Sequence, residues 1–185
     1  MKRMIGVVMA GVAGVAVVGI QAQVGMGATR MDAVQPVSDA IRTSWNSAKV
    51  NMVESAKEAE ALYSFKPVDT VRSFGEILAH VAGANYVFCS AARGEQPPHA
   101  EDAFESLTAK ADIVKALDES MAYCDAAFAA LTDRTAAETI EMPFGMGKAG
   151  RVTALVGNVG HLNEHYGNLV TYMRIKGIVP PSSRR

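Results

Sequence analysis

The sequence predicts an all-α protein, an up-down-up-down four-helix bundle preceded by a signal peptide. The chain has 185 residues, 49% of them hydrophobic and 20% charged, the proportions of one ordinary globular domain. After the N-terminal region, apolar residues recur at three- and four-residue steps in four segments, and no segment alternates long enough to require a sheet. A formal net charge of -1 argues against a nucleic-acid partner bound through its phosphates.

The N-terminus has the pattern of a secretory signal peptide. Lys2 and Arg3 precede an apolar run at residues 4–20, and small and polar residues follow it. We expect a signal peptide over residues 1–22, with Ala28 as a later alternative cleavage site. An uncleaved membrane anchor is the competing interpretation, because 17 apolar residues lie at the lower limit for crossing a bilayer. Cleavage would leave a periplasmic or secreted protein with no membrane contact.

The expected bundle spans residues 32–181, and its first two helices have different end signals. Apolar residues at helical spacing predict the first helix from about residue 32 to 63, with Pro36 making its start uncertain. The second helix is predicted at 73–92, because Ser73 followed by Glu76 forms a capping box.

The remaining two helices are bounded by glycine and proline. A loop containing Gly94 and two prolines precedes the third predicted helix, at about residues 108–131. A longer connection at 132–151 leads to the last predicted helix, at about 153–176, which Gly177 ends.

Two cysteines, Cys89 and Cys124, could pair if the protein is exported to an oxidising compartment. In an antiparallel helical hairpin, however, they would differ in height by roughly 15 to 20 Å at 1.5 Å per residue. We therefore predict two unpaired, buried cysteines.

Three of the four histidines are predicted to meet at one metal ion. His161 and His165 are four residues apart, which places both imidazoles on one face of the last helix. The second and fourth helices of the predicted bundle run parallel. His80, seven residues after Ser73, and His161, eight residues after Thr153, would then lie at the same level. Three neutral imidazoles and an open position suit a divalent ion, zinc or nickel first, with copper also acceptable.

Several alternatives stay open for these residues. Each histidine alone could be a hydrogen-bonded core residue, and His99 lies in a proline-bearing loop where solvent would surround it. The string HLNEH matches the inverted zinc-peptidase motif, with Glu164 as general base. No acidic third ligand follows His165, however. Tyr172 and Glu164 are candidate proton donors or acceptors, and the catalytic residues are not assigned.

Two segments carry a resemblance to a known family. They are FKPVDTVRSFGEILAHVAGANYVFCSA at residues 65–91 and GHLNEHYGNLVTYMRIKGIVPPSS at residues 160–183. Both resemble the DinB-like (YfiT-like) metalloenzymes, which implies a four-helix bundle with a divalent cation, typically nickel or zinc, held by His80, His161 and His165. Some members resemble S-transferases or isomerases that use low-molecular-weight thiols. The resemblance alone suggests a homodimer.

Together these observations predict an exported protein that binds one divalent metal ion and acts on an unidentified small molecule as a metal-dependent transferase or hydrolase. The export signal argues against a cytosolic thiol as cosubstrate. The alternatives are a non-catalytic bundle that binds metal or a small ligand, and a purely structural bundle.

Overall fold

The computed structural model describes residues 34–58 and 60–184, which are mostly helical, as the sequence predicts. The signal peptide expected at residues 1–22, with its alternative end at 28, lies outside the described residues. Within them, no helix combines the length and apolar character needed to cross a membrane. In chain order the elements are α1 (Pro36–Ala56), α2 (Phe74–Arg93), α3 (Lys110–Ala130), the short α4 (Asp133–Ala136), β1 (Thr139–Glu141), β2 (Lys148–Gly150) and α5 (Arg151–Ile175).

Helix α1 is shorter at both ends than its apolar pattern predicts. Pro36 occupies its first turn, where the missing N–H costs nothing, and Asp133 accepts a hydrogen bond from the Ser38 backbone N–H at 2.8 Å. At the other end the Tyr63 hydroxyl donates to the Ala56 carbonyl at 2.5 Å. The chain therefore leaves the helix at Ala56 and buries Tyr63 beneath its end.

Helix α2 begins with the predicted capping box. The Ser73 hydroxyl accepts from the Glu76 backbone N–H at 3.3 Å, and the Glu76 carboxylate accepts from the Ser73 backbone N–H at 2.6 Å. The backbone hydrogen bond from Ser73 also lowers the pKa of the Glu76 carboxyl. The helix ends at Gly94, whose φ of 73° is left-handed and favours glycine.

We expect Ser73→Ala to lower the free energy of unfolding by about 1 kcal/mol, the usual cost of losing an N-cap hydroxyl. For a domain of this size that is a fall in Tm of roughly 2–4 °C. Urea denaturation measures the change, with the exposed Ser64→Ala as the matched control. Equal stability of the two variants would contradict the role of this cap.

The up-down-up-down topology is wrong. Asn85 donates to Ser120 at 3.0 Å and Ser90 bonds to Tyr123 at 2.8 Å, so residue numbers rise together along α2 and α3. These two helices are parallel. By contrast, Trp45 of α1 donates to Asp125 of α3 at 2.8 Å, and Lys110 at the start of α3 donates to the Lys57 carbonyl just after α1. Helices α1 and α3 are therefore antiparallel.

Helix α5 is antiparallel to α2. The Tyr172 hydroxyl, near the end of α5, donates to the Arg72 carbonyl just before α2 at 2.9 Å. Asn158, early in α5, lies 3.5 Å from the sulfur of Cys89 near the end of α2. The directions of the four long helices are thus up, down, down and up.

The length of the connection between α2 and α3 permits this topology. Residues 94–109 can extend roughly 50 Å at about 3.3 Å per residue. The 20-residue helix α2 is only about 30 Å long. The connection is therefore long enough to return along α2, so that α3 starts at the same end as α2. We call residues 94–109 the crossover.

The prediction of unpaired cysteines is also wrong. Cys89 and Cys124 form a disulfide with 5.4 Å between their Cα atoms, and both are fully buried. The prediction assumes that the second and third helices form an antiparallel hairpin. Because α2 and α3 are parallel, Cys89, 15 residues after Phe74, lies level with Cys124, 14 residues after Lys110.

The core lies between α2 and its neighbours, and α2 is buried along almost its whole length. Trp45 of α1 stacks on Phe128 of α3 at 4.3 Å between ring centroids. The long connection before α5 contains a hairpin of two three-residue strands, β1 and β2, in antiparallel register. Strands this short are below the length at which alternation is detectable in a sequence. Further fully buried side chains are Met52, Phe74, Leu78, Leu117, Leu155, Leu162, Leu169 and Met173.

Candidate metal centre

The three histidines predicted to meet do so. His80 lies in the second turn of α2, and His161 and His165 lie one turn apart on α5. The Nε2 atom of His161 is 3.2 Å from that of His80 and 3.1 Å from that of His165. The three imidazoles offer ligand atoms that all lie within 4.8 Å of one another. The premise that α2 and α5 are parallel is wrong, yet the three imidazoles come together as predicted.

The spacing of the nitrogens fits one bound ion. Zinc–imidazole bonds of 2.0–2.1 Å at tetrahedral angles place neighbouring nitrogens about 3.3 Å apart. The observed 3.1 and 3.2 Å are close to this value. Three ligands on one side of an ion leave a fourth position open, as in catalytic zinc sites.

Hydrogen bonding within the protein does not account for the cluster. The Nδ1 atoms of His161 and His165 are buried and have no partner among the described residues, while their Nε2 atoms point at other imidazoles. Buried polar groups normally have partners, but no neighbouring group in the described part of the chain orients these two rings through Nδ1. A shared cation at the Nε2 atoms would account for the convergence of the rings, although it would leave the two Nδ1 atoms without partners.

The electrostatic environment keeps the imidazoles of His161 and His165 uncharged. Burial lowers the pKa of His161 to about 3, and the neighbouring imidazoles of His165 and His80 add to the effect. Burial likewise lowers the pKa of His165 to about 4, with His80 contributing next. Metal binding requires neutral imidazole, so at neutral pH these two ligands need not release a proton.

A glutamate that no sequence pattern singles out lies beside the triad. Glu105 of the crossover places Oε1 3.3 Å from Nδ1 of His80 and 3.2 Å from a guanidinium nitrogen of Arg72. His80 is 7% exposed, whereas the Glu105 side chain is 42% exposed. The crossover has no periodic pattern, and 25 residues separate Glu105 from His80, so no sequence signal pointed to it.

A cavity of about 700 Å³ lies beside His165, between the start of α2 and the end of α5. Tyr172 lines it with its hydroxyl bonded to the Arg72 carbonyl, and burial raises the pKa of this phenol. The cavity can admit a small molecule next to the triad. Its polar lining comprises Lys66, Asp69, Thr70, Arg72, Glu76, Glu105, His165, Asn168 and Tyr172.

The other candidates lie apart from the triad. His99 is exposed, as predicted, and its ring packs against Tyr86 with 4.8 Å between centroids. Glu164 is exposed on α5 and does not line the cavity. The third imidazole comes from α2, whereas the inverted peptidase motif would take its third ligand from residues after His165.

Comparisons with known proteins identify a family and a shared fold. The family model of the DinB superfamily matches residues 50–169, more than half of the chain. A DinB-like protein from Bacillus cereus ATCC 10987 superposes with a TM-score of 0.65 at 18% identity, covering 77% of this chain and 95% of that one. A conserved protein from Enterococcus faecalis gives a TM-score of 0.60 at 14% identity, covering 77% and 98%. Curated proteins provide no significant match. The fold and the family model together place this chain in the DinB superfamily.

Proposed function

We propose that the protein binds one divalent metal ion through His80, His161 and His165. The observation that carries this proposal is the convergence of three Nε2 atoms at 3.1 and 3.2 Å. An all-imidazole donor set favours zinc, nickel or copper over magnesium or calcium, which prefer oxygen. Zinc or nickel is our first choice.

We further propose that the protein is a metal-dependent transferase or hydrolase acting on a small molecule in the adjacent cavity. A bound ion would act as a Lewis acid or lower the pKa of a coordinated water or thiol. The chain itself holds His161 and His165 neutral and excludes most solvent from His80. Tyr172 and Asn168 line the cavity next to these histidines.

A non-catalytic metal- or ligand-binding protein is the second candidate, and one observation favours it. Both glutamates beside the cavity are already engaged. Glu76 caps α2, and Glu105 bonds to His80 and Arg72. Each carboxylate therefore already has a structural contact through one of its oxygens, and neither is reserved for the role of general base.

Turnover assays separate these candidates. The full chain is stripped of metal, reloaded with zinc or nickel, and assayed for thiol transfer and for ester and amide hydrolysis. We expect turnover that requires the metal, with stripped protein as the control. Equal rates in loaded and stripped protein would contradict a metal-dependent enzyme. Stoichiometric metal binding without turnover would favour the binding protein.

We also propose that the protein is periplasmic or secreted. The support is the fully buried disulfide between Cys89 and Cys124, because such bonds persist in oxidising compartments and are rare in the cytosol. Cell fractionation followed by mass spectrometry of the N-terminus tests this. A disulfide-bonded product beginning near residue 23 is expected, and a cytosolic product with free thiols would contradict it.

A further inference from the structure

The crossover packs closely along one face of α2. His80, Gly83 and Tyr86 follow one another at three-residue steps on that face. A Cβ atom at Gly83 would collide with the backbone of Glu101, so only glycine allows the crossover this near the helix. This close approach brings the following residues of the crossover within reach of His80.

Aromatic contacts hold the part of the crossover that precedes Glu105. Phe104 lies 6.0 Å from Tyr86 and 5.1 Å from His99 between ring centroids. Tyr86 is itself 5% exposed, so it offers a fixed surface. Glu105 directly follows a residue, Phe104, whose ring packs against Tyr86 and His99. It is therefore attached to a packed segment, not to a free loop.

The contact between Glu105 and His80 favours a proton on one particular nitrogen of the imidazole. A carboxylate accepts hydrogen bonds, so Nδ1 of His80, 3.3 Å away, is the donor in this contact. Nε2 then carries the lone pair that faces His161. Among the described residues, His80 is the one member of the triad whose Nδ1 has a protein partner, because those of His161 and His165 have none.

We propose that Glu105 is a positioning residue that holds His80 in the Nδ1–H tautomer and so raises the affinity of the triad for metal. The inference rests on the proposed metal-binding function. Carboxylates bonded to histidine ligands typically change metal affinity by 10- to 100-fold. An exposed ion pair with Arg72 alone, in contrast, would contribute little.

The test compares Glu105→Ala with Asp102→Ala. Asp102 is exposed, lies in the same segment and carries the same charge, which makes it a matched control. Zinc affinity is measured by competition with a chelator, and the His80 tautomer by ¹⁵N chemical shifts in the metal-free protein. Glu105→Gln retains an acceptor oxygen and is the conservative rescue.

We expect Glu105→Ala to weaken zinc binding by roughly 10- to 100-fold and to reduce the Nδ1–H population of His80. Asp102→Ala should match the wild type, and Glu105→Gln should fall between the two. Equal His80 tautomer populations in Glu105→Ala and Asp102→Ala would overturn the inference. This holds even if the wild-type protein binds zinc as proposed. A wild-type protein that binds neither zinc nor nickel would refute the proposed function, while the tautomer measurement would still decide the role of Glu105.

Discussion

Replacing Cys89 and Cys124 together with alanine is expected to lower the free energy of unfolding by about 4 kcal/mol. The disulfide closes a loop of 35 residues, and loop-closure entropy gives this magnitude. At 2–4 °C per kcal/mol for a domain of this size, Tm should fall by roughly 8–16 °C. The variant also removes the sulfur atoms that lie 3.5 Å from the Asn158 amide, which adds to the loss.

Urea denaturation of the variant and of reduced wild-type protein measures this effect. The wild type refolded in reductant is the matched control, because it keeps both sulfur atoms in the core and lacks only the bond between them. Its stability should lie between those of the oxidised wild type and the alanine variant. Equal stability of oxidised and reduced wild-type protein would contradict a stabilising disulfide.

Replacing His161 with alanine is expected to weaken zinc binding by at least about 100-fold. His161 is central to the cluster, since its Nε2 lies within 3.2 Å of those of both His80 and His165. The loss should exceed the 10- to 100-fold typical of a residue that only supports a ligand. The His161→Ala/His165→Ala double variant should retain no stoichiometric metal.

Calorimetry and metal analysis check this, with His99→Ala as the matched control. His99 is also a histidine of the same chain, but it is exposed and lies outside the triad. His99→Ala should bind one ion with wild-type affinity. The same metal content in the double variant and in His99→Ala would refute the site.

The position of each residue along its helix explains why the histidines meet as predicted, whereas the prediction of unpaired cysteines is wrong. His161 and His165 are the eleventh and fifteenth of the 25 residues of α5, so they are symmetric about its middle. Reversing the direction of α5 makes His161 and His165 exchange heights along the bundle. The pair as a whole stays beside His80. Cys89 lies near the end of α2. Reversing the direction of α3 therefore shifts the point on α3 that lies opposite Cys89 by about 16 Å.

Helix positions were predictable because each helix buries an apolar face at 3.6-residue spacing, and the cap at Ser73 marks a start unambiguously. The direction of α3 was not predictable, because the 16-residue crossover can either form a loop at one end of the bundle or return along α2. The role of Glu105 depends on that return path and on the glycine at position 83. Such contacts between distant segments leave no local pattern in the sequence.

We expect one metal ion to bind at His80, His161 and His165. Anomalous diffraction from crystals of the zinc- or nickel-loaded protein, collected at the absorption edge of the metal, locates such an ion. We predict a single anomalous peak about 2.0–2.2 Å from each of the three Nε2 atoms, with a further ligand on the cavity side. The absence of a peak among these nitrogens, or a peak held by other residues, would contradict the claim.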